Sequence, residues 1–334
     1  VKTSVTLIDI SKRAGVSSAT VSRVVNGSPL VVEATRLRVQ KVIEELGYRP
    51  NFAARMLIRD RTEIIAVIIP TIGKYYFSDI MAAADRVASA QSYHVMVALS
   101  HGAMDEQDVI LRYVLERRAD GLIIMALNAG CEAAIKQAGR AGVPISVIGR
   151  PVRGKGLFSV GIDNRAGAHQ VIEHLAKRGF QRIALLTGPA DNFDSQERLI
   201  GARRAAAQLG LRLRPDWIWT GDFEGESGYR WAKQQFSRGG ARPDAVFAFN
   251  DGMALGARVA LQELGLRIPQ DVGLAGFDDV DAAFHAGLTT VRNPTRELGR
   301  LAAEALMSRL KGKSPPSASR VLPTALIARA STAR

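Results

Sequence analysis

The chain has 334 residues, 47% of them hydrophobic and 23% charged, with 45 Lys+Arg against 32 Asp+Glu and a formal net charge of +13. That length fits about two domains at roughly 150 residues each, and the composition excludes a disordered chain. One cysteine, Cys131, excludes an internal disulfide framework, the aliphatic run Ile64 to Ile69 is too short for a membrane helix, and the N-terminus lacks a signal-peptide pattern, so a cytoplasmic protein is expected.

The charge is concentrated at the start of the chain. Residues 1–61 hold eleven basic and five acidic side chains, a surplus of +6, while the remainder shares +7. A compact basic module suits phosphate backbones, because each neutralised phosphate releases a counterion. Leu7, Ile10 and Ala14 recur at helical spacing behind Thr6, a candidate N-cap, which predicts a first short helix. Gly15 allows the positive φ that ends it. Ser17 is placed to cap a second helix from Ser18 to Val25, with Val21, Val24 and Val25 inward and Thr20, Ser22 and Arg23 outward. Two short helices joined by a three-residue glycine turn make a helix-turn-helix, whose second helix enters the major groove by its N-terminal part. After Asn26-Gly27-Ser28-Pro29, a third helix is predicted from about Glu33 to Leu46, burying Leu37, Val39, Val42, Ile43 and Leu46 and ending at Gly47.

The stretch Thr6-Leu7-x-Asp9-Ile10-Ser11-x-x-Ala14-Gly15-Val16-Ser17-x-x-Thr20-Val21-Ser22-Arg23-Val24-Val25-Asn26 resembles the DNA-binding headpiece of LacI/GalR-family transcriptional regulators. Glu45-Leu46-Gly47-Tyr48-x-Pro50-Asn51-x-x-Ala54-Arg55-x-Leu57 resembles that family's hinge. The resemblance implies DNA contacts from Leu7, Ser17, Ser18, Ala19, Thr20, Ser22, Arg23, Asn26, Thr35, Asn51, Ala54 and Leu57. Ser18, Ala19 and Arg23 fall at base-facing positions. Ser18 and Ala19 offer only a short hydroxyl and a methyl, which leaves Arg23, whose fork suits guanine O6 and N7, as the main base reader. Thr20, Ser22, Asn26 and Thr35 fall at phosphate positions, which set register. Leu57 falls where the family wedges an apolar side chain into the minor groove. Asn51 to Arg59 is only about two turns long, marginal as an isolated helix. It is expected to form when DNA and a partner chain support it.

From Glu63 onward, strand and helix patterns alternate. Strands are predicted at Ile64 to Ile69, Val95 to Leu99, Gly121 to Met125, Pro144 to Ile148 and Ser159 to Ile162. A second series runs through Arg182 to Leu186, Ala245 to Phe249, Gly273 to Phe277 and Thr289 to Arg292. Two such series predict an α/β core of two doubly wound parallel-sheet lobes behind the all-α headpiece, with ligand bound beyond the carboxyl ends of the strands. Asp120-Gly121-Leu122-Ile123, Gly161-Ile162-Asp163-Asn164, Arg198-Leu199-x-Gly201, Asn250-Asp251-x-Met253-Ala254-x-Gly256 and Gly276-Phe277-Asp278-Asp279 resemble the LacI/GalR core, which has a periplasmic-binding-protein-like fold. The expected division is a helix-turn-helix domain over 1–49, a hinge helix and linker over 50–62, and an effector-binding and dimerisation core over 63–330. Within the core, lobe 1 covers about 63–163 plus 293–322, and lobe 2 about 164–292 plus 323–330.

Arg198 brings five donors in a fixed fork, and Asp278 and Asn250 bring acceptors, a set that suits a polyhydroxyl effector. The resemblance places the rings of Phe77 and Phe223 against that ligand, and Arg150 ends a first-lobe strand as a second cation. Asn192 and Asp194 stand where purine-binding members of the family carry an arginine and a threonine, so a sugar, or an acidic or phosphorylated sugar derivative, is expected instead. Asp163 and Asp251 open helices and read as N-caps, and Asp279 reads as structural. One headpiece reads one half-site, so a homodimer on a palindromic double-stranded operator is expected. The C-terminus lacks the leucine heptads of a tetramerising tail. Repression by operator occupancy is the expected mechanism, with the direction of effector coupling left open. The five histidines form no HExxH, and no GxSxG, Walker loop or GxGxxG occurs, so neither catalysis nor a cofactor is expected. A solute-binding protein without an operator is the alternative, and the basic headpiece weighs against it.

Overall fold

The computed structural model describes residues 5–48, 61–72, 75–100, 109–110, 112–113, 116–126, 131–313 and 318–334. The hinge-motif residues Asn51, Ala54 and Leu57 lie outside the described residues. Contacts divide the chain into two units, Val1–Thr62 and Glu63–Arg334.

The first unit holds α1 (Leu7–Ala14), α2 (Ser18–Val25) and α3 (Glu33–Leu46). Thr6 and Asp9 form a capping box: the Thr6 hydroxyl accepts the Asp9 N–H (3.3 Å), and the Asp9 carboxylate accepts the Thr6 N–H (2.9 Å). Gly15 (φ 65°) and Gly47 (φ 60°) end α1 and α3 in the left-handed region. Ser17 caps α2 by accepting the Thr20 N–H at 3.2 Å. Ile10, Ala14, Val21, Val24, Val31, Val39 and Val42 meet in the core. One expectation fails, for Leu37 is 57% exposed. On α3 it lies opposite the buried stripe, because two residues turn a helix by more than half a circle and Val39 already faces inward.

In the second unit the chain runs through β1 (Ile64–Ile69), α4 (Tyr75–Ser89), β2 (His94–Leu99), β3 (Gly121–Ala126), α5 (Glu132–Arg140), β4 (Ile145–Gly149) and β5 (Leu157–Ile162). It then passes to α6 (Asn164–Lys177), β6 (Ile183–Thr187), α7 (Phe193–Gln208), β7 (Ile218–Thr220), α8 (Gly225–Ser237), β8 (Ala245–Ala248), α9 (Asp251–Glu263), β9 (Gly273–Ala275), α10 (Asp281–His285) and β10 (Thr290–Arg292). The last elements are α11 (Thr295–Leu310), β11 (Ser319–Leu322) and β12 (Ala325–Ile327).

Two parallel sheets result, one in the order β11-β5-β4-β3-β1-β2 and the other β7-β6-β8-β9, with β10 and β12 paired antiparallel. Alternation along the strands explains why β1, inside the first sheet, is apolar on both faces. In β1, Ile65, Val67 and Ile69 join the cluster under α4 and α11, while Ala66 and Ile68 join the opposite cluster with Ile135 and Leu157. The chain returns to the first sheet through α11, where the Ser146 hydroxyl donates to the Ala302 carbonyl at 2.7 Å. It then leaves again through β12, which pairs with β10. Sequence reading missed β7, β11 and β12. Each has three or four residues and much exposed surface, so none carries the apolar run or sustained alternation that marks a strand. Among the described residues, no helix is long and apolar enough to cross a membrane.

Candidate functional site

On the first unit, Ser17, Ser18, Ala19 and Arg23 are exposed on or beside α2, and Thr20, Ser22, Asn26, Thr35 and Leu7 are half-buried. Arg23 forms no ion pair among the described residues and lies in the last turn of α2. The smaller polar groups bond to one another. The Ser17 and Thr20 hydroxyls lie 2.9 Å apart, and the Asn26 amide donates to the Ser22 carbonyl at 2.9 Å. Asn26 thus ties down the end of α2, while Leu7 packs beside the headpiece core. Arg36 donates to the carbonyls of Ser28 (2.9 Å) and Val31 (3.3 Å), fixing the loop onto α3.

On the second unit, the polar site is built around Arg198, which is 3% exposed. Its Nε donates to Asn164 Oδ1 at 2.8 Å, one terminal nitrogen donates to the Phe249 carbonyl, and the other lies 3.7 Å from Asp278 Oδ1. The guanidinium sits 3.7 Å from the centroid of the Phe277 ring. Asn164 in turn donates to Asp194 Oδ1 at 2.8 Å, and Asn293 donates to Asp278 Oδ1 at 2.9 Å. Close helix packing makes the geometry possible. Gly201 lies so near α6 that a Cβ there would stand 2.3 Å from the Arg165 carbonyl oxygen, so α7 brings Arg198 to Asn164 only with glycine at that position.

Burial pushes the Asp194 carboxyl up, against the pull of Arg198 and Asn164. Tyr76, on α4 of the first lobe, lies in the field of Asp194, Asp278 and Arg198. Its phenol is raised well above the usual range, first by burial and then by the two carboxylates. Tyr76 meets Phe77 edge to face at 5.4 Å, and Phe77 itself is buried. Arg150, just beyond β4, is held by Glu132 (3.2 Å) and lies 5.9 Å from the Phe193 ring at the start of α7, so it spans the two lobes.

Phe223 has φ 68° and rests on Gly188, where a Cβ would fall 2.0 Å from the ring. Asn250 holds this loop by donating to the Phe223 carbonyl (2.8 Å) while its Oδ1 caps α9 through the Met253 N–H (2.9 Å). Both ends of the Asn250 amide are therefore committed within the protein. Phe223, Asp278 (φ 117°) and Asp279 (φ 56°) all hold backbone conformations that side-chain-bearing residues rarely adopt, a concentration of local strain typical of ligand-binding loops.

Asp251 is not the N-cap expected of it. Asn250 fills that role, and fully buried Asp251 accepts the Thr290 hydroxyl at 2.6 Å and the Val280 N–H at 3.0 Å. Burial and then the neighbouring Asp278 charge push its carboxyl up to about 8. Asp163 does cap its helix, accepting the Ala166 N–H at 2.9 Å, and Asn192 caps α7 through Ser195. Asp279 bridges Arg292 (2.6 Å) and Arg329 (2.5 Å), a structural clamp.

The structure thus gathers Asp194, Arg198 and Asp278 into one cluster, joins Asn250 to Phe223 beside Gly188, and places Arg150 at the lobe boundary. Sequence reading missed Asn164, Tyr76, Phe193, Phe277 and Asn293. Asn164 and Phe277 sat inside quoted motifs, and Tyr76 beside Phe77, but only tertiary contact reveals their part. Among the described residues, no group of three or more His, Cys, Asp or Glu is arranged to hold a metal ion.

A helix-turn-helix unit in one chain with a two-lobed, ligand-binding type of α/β core defines a DNA-binding transcriptional regulator. Residues 6–51 match the family of bacterial regulatory proteins, lacI family, and residues 172–332 match the periplasmic binding protein-like domain. The repressor PurR of Erwinia tasmaniensis is 34% identical over 98% of this chain and 97% of its own, and that of Aliivibrio salmonicida is 32% identical over 92% and 93%. Among solved structures, the Lac repressor dimer bound to operator and the anti-inducer ONPF aligns with a TM-score of 0.86 at 28% identity, covering 99% of this chain and all of the other. The regulator CelR in complex with cellobiose aligns with a TM-score of 0.73 at 31% identity, covering 98% and 99%. The chain belongs to the LacI family of DNA-binding transcriptional repressors.

Proposed function

We propose that this protein binds a palindromic DNA operator as a homodimer and that a small polyhydroxyl effector, a sugar or sugar derivative, sets its affinity for that operator from between the lobes. The supporting observation is the cluster of Arg198, Asp278, Asp194 and Asn164, a buried set of fixed donors and acceptors at the carboxyl ends of strands. A hydroxyl-rich ligand is recognised by just such converging polar groups, flanked by the rings of Phe223, Phe193 and Tyr76. Asp194 adds a hydrogen-bond acceptor at the position where the purine-binding pattern would differ, which favours hydroxyl donors over a purine. CelR in complex with cellobiose is a family neighbour consistent with that choice.

On the headpiece, Arg23 reads a guanine, and Ser17, Ser18, Ala19, Thr20, Ser22 and Thr35 line the contact surface. Asn26 and Leu7 add contacts to that surface, and Asn51, Ala54 and Leu57 belong to the proposed hinge contact. The domains operate as 1–49, 50–62 and 63–330. No catalytic step is assigned.

The test is selection of bound duplexes from a random library followed by a gel-shift titration. The expected result is a palindromic consensus bound by two chains. Binding without sequence preference, with or without sugars, contradicts the proposal. A thermal-shift screen of sugars and sugar acids then identifies the effector, since a ligand of the folded state raises apparent stability.

A further inference from the structure

The core's surplus of positive charge is not spread evenly. From Arg198 to Pro215 the chain carries five arginines and no acidic residue. Arg198 belongs to the buried cluster, and Arg214 pairs with Asp216 at 2.7 Å while stacking 4.7 Å from the Trp217 ring. Arg203, Arg204 and Arg212 are exposed and form no ion pair among the described residues.

Arg203 lines an apolar groove, with Arg204 next to it on α7 and Arg212 in sequence between the lining residues Leu211 and Leu213. Between the outer half of α7 and the outer strand β7 lies an open depression of about 500 Å³, floored by Ala206, Leu211, Leu213 and Ile218 and rimmed by Arg203 and Pro215. Ile200, Arg203, Arg204 and Ala207 stand at i, i+3, i+4 and i+7 along one exposed face of α7. Ile200 and Leu209 each remain 44% exposed beside it. The groove lies apart from the Arg198 cluster, since none of its lining residues belongs to that cluster.

We propose that this groove is a docking surface for an acidic protein segment that anchors an apolar side chain on Leu211, Leu213 and Ile218 and sets carboxylates against Arg203, Arg204 and Arg212. The charge is complementary to such a segment, and an open groove admits a chain better than an enclosed small ligand. Arginine rims of this kind pair with carboxylates through two parallel hydrogen bonds. Because α7 also carries Arg198, an occupant of the groove would bear on the helix that holds the buried cluster.

The probe is a fluorescein-labelled peptide of about twelve residues, mostly Asp and Glu with two spaced Leu, titrated by anisotropy against the full-length chain at physiological salt. The expected result is saturable binding that weakens about tenfold in the Arg203→Glu/Arg212→Glu double variant. It should also weaken when the peptide's Leu residues become Ser. Both substituted arginines are exposed, so an unchanged melting temperature verifies that the variant is folded. Absence of saturable binding, equal binding by the double variant, or equal binding by the Ser peptide overturns the proposal. Tighter binding of an oligothymidylate of the same charge, lost in the same variant, overturns it in favour of a nucleic-acid surface. None of these readouts depends on the operator or on the sugar.

Discussion

Arg23 and Arg198 show how differently the two units use one side-chain type. Arg23 is exposed on an eight-residue helix and forms no ion pair among the described residues, so its donors stay available to an outside acceptor. Arg198 is buried and already shared among Asn164, Phe249, Asp278 and the Phe277 ring. A group presented to solvent contributes to recognition only when DNA arrives. A group held in a network also stabilises the fold that holds it, and a ligand there must join an arrangement already made. Loss of Arg23 should therefore alter binding alone, whereas loss of Arg198 should alter binding and stability together.

The largest effect expected is that of Arg198→Met. Removing the guanidinium leaves the partly buried Asp278 carboxylate without its ion-pair partner and the buried Asp194 carboxylate without a nearby cation, a loss of the kind that typically costs about 3–5 kcal/mol. Urea denaturation should show that loss, and no sugar should raise the melting temperature of the variant. A variant as stable as the parent would mean that the cluster is an arrangement without energetic weight.

Next comes Arg23→Ala, expected to weaken operator binding by about 1–3 kcal/mol and to relax preference at one base pair of each half-site. Its stability should stay within about 0.5 kcal/mol of the parent's, as for other exposed positions. Coupled loss of stability would erase the contrast with Arg198.

A third prediction concerns pH. The Asp251 carboxyl rises from the ordinary 3.8 to about 8, so the folded chain keeps a proton that the unfolded chain has lost between those values. Its contribution to stability is full below about 3.8 and is lost as pH rises through about 8. Asp251→Asn keeps the neutral shape, and its melting temperature should fall less steeply than the parent's across that window. The slope is the readout, because the amide also gives up one of the two accepted hydrogen bonds. Parallel slopes would place the source of any pH dependence elsewhere.

The smallest effect lies on the headpiece. Val32 occupies the N-cap of α3 without a side-chain hydrogen bond and is 71% exposed. Val32→Ser should stabilise the headpiece by about 1 kcal/mol, measured by thermal unfolding. A neutral result would show that the Arg36 bonds to the preceding loop already fix that helix start.

The same contrast explains what could be read from the sequence. Thr6, Gly15, Ser17 and Gly47 act on neighbours within a few residues, so caps and turns locate α1 to α3 directly. Leu37 escaped because a third apolar residue near Val39 and Val42 looks like core until the helix phase is fixed. The Arg198 cluster draws residues 164, 194, 198, 249, 278 and 293 from separate strand ends, and only the crossed topology brings them together. Motif resemblance pointed to Arg198 and Asp278, yet nothing local marks Asn164 or Tyr76 as their neighbours. Asp251 misled for a related reason. An aspartate at a helix start reads as a cap, but here Asn250, one residue earlier, takes that position and turns Asp251 inward toward Thr290.

In the proposed mechanism, a ligand at the Arg198 cluster and DNA at the headpiece are thermodynamically coupled. The most direct test is the affinity of the full chain for its selected palindrome, measured by anisotropy at fixed salt with and without a saturating sugar found by thermal shift. The sugar should change operator affinity about fivefold or more, in either direction, and that change should disappear in Arg198→Lys. Equal operator affinity with the sugar bound and absent would contradict that coupling.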